Sequence, residues 1–142
     1  MEALVDVNLV FALVNERHAF HQRACGWLDA QQAGFRIGIC RLAQMGLLRL
    51  LCNKAAMDGD PVSLPQAWKV YADLISDPGV GFVPEPDGFQ ADWIDLCRPY
   101  GASPKVVSDA YLAGIAIRLQ RPLATFDQDF MNFRDLRVIL IP

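Results

Sequence analysis

Short apolar segments of strand character alternate with longer amphipathic segments along the whole chain, and this alternation constrains the fold more than any other feature. Ala3–Val7, Phe35–Cys40, Gly79–Pro84, Arg121–Thr125 and Arg137–Ile141 read as strands, the first closing at Asp6. Between them, apolar residues recur at helical spacing over Val7–Val14, His18–Gln31, Leu42–Asn53, Leu64–Ser76, Gly88–Tyr100 and Lys105–Gln120. Strands joined through helices become neighbours by parallel crossovers. The expected fold is therefore α/β, a three-layer α/β/α sandwich with a central parallel sheet. A length of 142 residues suits one domain over 1–142. The breaker-rich stretches Met57–Pro65 and Pro84–Gly88 then read as loops within it. Ser103 before Pro104 predicts an N-cap and first-turn pair, and Ser108 is a second cap candidate.

Composition narrows the function classes. With 53% hydrophobic and 20% charged residues, disorder is excluded as the main state. The apolar runs Leu9–Val14 and Met45–Leu48 fall far short of the ~20 residues of a spanning helix. The acidic start Met1-Glu2-Ala3 lacks the basic region of a signal peptide, so no membrane association and a cytoplasmic location are expected. A net charge of −3 argues against a protein held on nucleic acid by broad phosphate neutralisation, so any such contact must be local. The low charged fraction favours a homo-oligomer or a protein partner. Cys25, Cys40, Cys52 and Cys97 show no C-x-x-C spacing and read as reduced, mostly buried thiols.

Ligands of open parallel sheets collect at the carboxyl ends of the strands. Asp6 ends the first strand among Leu4, Val5 and Val7, and Asn8 is placed to hydrogen-bond it or to cap the next helix. Asp109 stands near the start of a helix, and Asp127 and Asp129 directly follow the strand ending at Thr125. Each acid alone has an ordinary explanation: a buried acid paired with arginine, a helix N-terminal acid, a turn residue. Together they map to one sheet edge. Carboxylates so gathered repel unless a hard divalent cation joins them, and oxygen donors favour magnesium or manganese. Such a site can activate water and hold a phosphodiester for in-line attack.

These residues also carry a family resemblance. Asp6-Val7-Asn8-Leu9-Val10 resembles the first motif of PIN-domain nucleases. His18–His21 with Ala24, Trp27 and Leu28 resembles the next helix of the VapC toxin branch. Ser108–Ala113 resembles its third-acid helix, and Thr125–Phe130 its T-x-D-x-D-F motif. The resemblance implies a PIN fold and a Mg2+- or Mn2+-dependent endoribonuclease. It also implies a toxin of a type II pair, usually a homodimer neutralised by a VapB-like antitoxin. By the same matching, Asp6, Asp109 and Asp127 are the metal-binding acids, with Thr125 and Asp129 in support. The second motif departs from the family pattern: Gln44 stands at the usual glutamate position, Ala43 replaces a hydroxyl residue, and Arg41 adds a charge. Gln44 offers an oxygen but no charge. The alternative is thus a weakened or inactive PIN-like module that binds RNA or antitoxin without cleaving.

The remaining candidates have plainer readings. His18 and His21 share a helix without a third ligand, so His18 is expected to pack and His21 to face solvent. Arg41, Arg49, Lys54 and Lys105 lie near the carboxyl edge, where ordinary solvated charge competes with RNA phosphate contact, and Arg41, just after a strand, is the best phosphate candidate. Trp27, Trp68 and Trp93 fall on apolar faces and are expected in core or dimer packing. The helix surfaces Leu9–Val14 and Leu47–Leu51 are the expected dimer and antitoxin contacts.

Overall fold

The computed structural model describes residues 2–142. Five strands, β1 (Glu2–Val5), β2 (Arg36–Cys40), β3 (Val80–Val83), β4 (Leu123–Thr125) and β5 (Val138–Leu140), form one parallel sheet in the order β3-β2-β1-β4-β5. The inner strands are largely apolar because both faces are covered: Ala3, Leu4, Val5, Ile37, Ile39, Leu123 and Ala124 are buried. Six helices supply the cover: α1 (Val7–Val14), α2 (His21–Asp29), α3 (Arg41–Leu51), α4 (Leu64–Ile75), α5 (Phe89–Cys97) and α6 (Pro104–Leu119). Helix α1 packs on α2 and α3, α3 packs on α4, and α5 packs on α6. The expected α/β/α sandwich is the architecture observed.

The strand order locates the site. The chain runs outward from β1 to β2 and β3, then returns across β1 to lay down β4 and β5. The direction of winding therefore switches between β1 and β4, where a crevice opens beyond the carboxyl ends. Asp6 follows β1 there, and Asp127 follows β4. Gly46 brings α1 and α3 close: a Cβ on it would meet Val7 Cγ2 at 2.5 Å.

Several boundaries differ from the sequence reading for local reasons. β1 stops at Val5, because Asp6 is the N-cap of α1, its Oδ1 accepting from Leu9 N at 3.0 Å. The helix expected from His18 starts at His21; His18 Nδ1 instead accepts from Phe20 N, holding a turn. His21 does not face solvent: it is half-buried, with Nδ1 2.7 Å from Ala12 O. Helix α4 opens with a capping box of Ser63 and Gln66. Ser103 holds the N-cap position of α6 without a side-chain cap, and Ser108 lies inside that helix, its hydroxyl donating to Lys105 O. Only Cys40 of the four free thiols is fully buried; the others are half-buried. Leu9–Ala12, Leu47 and Leu51 belong to the monomer core rather than to a contact surface. Trp93 stacks on Phe89 and Trp27 meets Phe35 edge-on, while Trp68 stays exposed.

Candidate active site

A cleft of about 200 Å³ opens at the β1–β4 crevice. Asp6 enters from the end of β1, Asp109 from the second turn of α6, and Asp127 from the end of β4. Asn8, Ala43, Gly46 and Phe130 complete much of the wall. The three acids expected to act together are thus brought together from distant parts of the chain. Asn8 is exposed on this wall and does not cap α1; Asp6 does that itself.

Asp6 is the most constrained of them, only 5% exposed. Besides capping Leu9, it accepts at Oδ2 from Thr125 Oγ1 at 2.5 Å. Thr125 is fully buried and also accepts from Asp127 N at 2.9 Å, so one hydroxyl ties the two strand ends together. Burial pushes the Asp6 carboxyl above the usual range, and repulsion from Asp127 and Asp109 adds to that, against its two hydrogen bonds. Burial also raises Asp109, with Lys105 opposing. For Asp127 burial is again an upward influence, but hydrogen bonds from Lys105 and Asp129 N overcome it and hold the carboxyl below the usual range.

By sequence Lys105 reads as solvated charge or a phosphate contact; in the structure it is a member of the cluster. Its Nζ lies 2.6 Å from Asp129 Oδ2, 2.9 Å from Asp127 Oδ2 and 3.4 Å from Asp109 Oδ2. The signal available was the i,i+4 spacing to Asp109, which places both on one helix face. Asp129 is exposed, and its backbone N–H donates to Asp127 Oδ1 at 2.9 Å.

Gln44 stands apart. It is buried at 6% exposure, but Leu42, Ala43 and Gly46 are the residues that α3 turns to the cleft. Gln44 Oε1 accepts from Arg41 Nη1 at 2.5 Å, and the Arg41 guanidinium sits 4.7 Å from the centre of the Phe82 ring. Arg41 is therefore engaged on the β3 side. Arg49 instead lines a second cavity of about 260 Å³ that shares Val7, Asn8 and Gly46 with the acidic cleft.

All-oxygen donors around an electronegative cleft are the right chemistry for a magnesium or manganese ion, and an ammonium already stands among them as a cation. No three His, Cys, Asp or Glu side chains among the described residues are grouped to hold an ion as they stand. Asp6 is committed to Thr125 and Leu9, and the other acids are drawn to Lys105.

The PIN-domain family pattern matches residues 3–136, nearly the whole chain. The chain belongs to the PIN-domain family. This PIN domain is similar to the ribonuclease VapC41 of Mycobacterium tuberculosis, with 34% identity over 142 residues and 97% of each chain covered. It superposes with a TM-score of 0.74, at 14% identity and over the full length of both chains, on a structure of VapBC2 from Rickettsia felis bound to a promoter DNA fragment. A second superposition, on the Sarcin-Ricin loop cleaving toxin VapC20 of M. tuberculosis, has a TM-score of 0.66 at 18% identity and covers 95% of this chain and 98% of that one. At such identities the two structures speak to the fold alone. Among the described residues of this PIN domain, no helix is long and apolar enough to cross a membrane.

Proposed function

We propose that this PIN domain is a metal-dependent endoribonuclease, the toxin of a VapBC-type pair. The observation that carries the reading is the convergence of Asp6, Asp109 and Asp127 on one cleft at the winding switch of a PIN fold. Kinship to a protein named as a ribonuclease supports the reaction class. Asp6, Asp109 and Asp127 would hold Mg2+ or Mn2+, with Thr125 and Asp129 fixing their orientation. The bound ion would supply Lewis acidity toward an RNA phosphodiester and its attacking water. Thr125 keeps Asp6 ionised and aimed by donating to Oδ2, and the α1 N-terminus does the same through Leu9 N–H. Asn8 lines the cleft mouth and is placed to donate to a phosphate or ribose oxygen. Arg49 offers a cation to the next phosphate along the shared groove. Gln44, expected as a degraded ligand, acts in this reading by holding Arg41. It therefore subtracts no charge from the cleft, and this favours a cleaving enzyme over a binder.

The partners in this reading are single-stranded RNA, a VapB-like antitoxin and a second copy of the chain. Leu64 and Trp68, one turn apart on α4, remain exposed, an apolar pair suited to protein contact. Cleavage of RNA by the purified chain in Mg2+ or Mn2+, lost on adding EDTA and in Asp6→Ala, is the expected result. Metal-dependent cleavage that survives in both Asp6→Ala and Asp109→Ala would overturn the assignment.

A further inference from the structure

Lys105 and Asp109 lie four residues apart near the start of α6, so the helix backbone fixes their spacing. The Lys105 ammonium spans Asp109, Asp127 and Asp129. Two of these carboxylates are among the three assigned to the divalent ion above. We propose that Lys105 is a built-in counter-ion that occupies the place of the divalent cation, so that metal binding proceeds by displacing its ammonium. The inference rests on the reading of Asp6, Asp109 and Asp127 as a metal site.

Three observations support competition rather than a neutral salt bridge. First, the ammonium already sits against Oδ2 of both Asp109 and Asp127, oxygens that an incoming cation would also use. Second, the lysine is half-exposed on a four-carbon stem, so it can leave for water by rotating side-chain bonds while α6 stays in place. Third, Asp6 makes no contact with Lys105; its oxygens are held by Thr125 and Leu9 N. One corner of the site is therefore fixed by the fold and independent of which cation is present. A divalent ion and an ammonium a few ångströms apart repel, so each disfavours the other in the site. The exchange trades one positive charge for two among four carboxylates, and the lysine sets the metal concentration at which that trade becomes favourable.

The test is Mn2+ binding, followed by electron paramagnetic resonance of the free ion. It uses the wild type, Lys105→Gln, Lys105→Arg and Asp109→Asn, with thermal melts of each protein with and without Mn2+. Removing the competing charge should tighten Mn2+ binding about tenfold in Lys105→Gln. Lys105→Arg, which keeps the charge, should stay within about threefold of wild type. Without metal, Lys105→Gln should melt below wild type, and the gap should close as Mn2+ is added. Binding by Lys105→Gln alone, with none by wild type, would support the proposal equally. Equal or weaker binding by Lys105→Gln, with wild-type binding that Asp109→Asn abolishes, would overturn the competition and leave the metal site standing. Binding by neither protein would overturn the metal site and the proposal with it.

Discussion

Thr125→Val isolates the one hydroxyl that joins the two strand ends of the site. The substitution keeps the shape of a side chain with no solvent exposure. It deletes the donor to Asp6 Oδ2 at 2.5 Å and the acceptor for Asp127 N at 2.9 Å. A hydrogen bond to an ionised group contributes roughly 1.5–3 kcal/mol net. The orphaned Asp127 N–H adds a smaller cost, since that residue is only half-buried. The new methyl group, buried in its turn, returns about 0.8 kcal/mol. The balance is a loss of about 2 kcal/mol at pH 8, or about 7 °C in Tm for a chain of this size. The loss should depend on pH. Without Thr125 the Asp6 carboxyl rises further, so it takes up a proton more readily on acidification. Once it is protonated, the missing bond is a neutral one of about 1 kcal/mol. Urea unfolding at pH 8 and at about pH 4, near the unfolded carboxylate value, should therefore show the gap to wild type narrowing on acidification. Thr125→Ser keeps the hydroxyl and should cost about 1 kcal/mol at both pH values, the cost of a buried methyl group. A Thr125→Val loss below about 0.5 kcal/mol, or one equal at the two pH values, would refute the claim that this hydroxyl holds Asp6 ionised.

Three further outcomes follow from the same geometry. The raised Asp6 carboxyl contributes stability that is full below its unfolded value near ~3.9 and is lost as pH rises through the folded value. In metal-free protein, wild type should thus gain on Asp6→Asn as pH falls from neutrality toward the unfolded value, measured by urea midpoints; Asp127, held low, has the opposite dependence but is common to both proteins. Gln44→Glu puts a carboxylate against Arg41 rather than into the cleft, so RNA cleavage should change by less than about threefold, and a tenfold gain would place position 44 in the metal site. Arg49→Ala should weaken RNA binding and reduce the slope of log affinity against log salt by about 0.7, as loss of one phosphate contact on a single strand requires; an unchanged slope would remove Arg49 from the RNA path.

What the sequence made legible depended on whether a residue's role follows from its own segment. The strands and helices were readable because each carries its own period, and all five strands and six helices stand where the periodicity puts them, within a few residues. Asp6 and Asp127 were readable because each directly follows an apolar strand, and strand ends share one edge of a parallel sheet. The start of α2 was misplaced because a side chain competed with the helix: His18 takes Phe20 N and holds a turn. The short 3-10 turn over Gln128–Asn132, which brings Phe130 to the cleft, has no period long enough to announce itself.

Position 44 and Lys105 show the harder limit. A helix turns about 100° per residue, so neighbours in sequence face different surroundings. Cys40 holds the N-cap position of α3, and the register from there sends Leu42, Ala43 and Gly46 to the cleft and Gln44 to Arg41. Residue chemistry alone does not distinguish these directions, which is why a missing glutamate read as a missing ligand. Lys105 is the converse case. Its spacing to Asp109 was in plain view, but Asp127 and Asp129 come to it from a loop more than twenty residues away. That contact exists because α6 leads directly into β4, which sets the start of the helix beside the carboxyl end of the strand. The α6–β4 connection that brings Asp109 to Asp127 also delivers the cation that neutralises them. Charge repulsion among the acids and their balance by Lys105 are therefore one property of the topology. A substitution at any of these positions should be read against all of them rather than against its own pair.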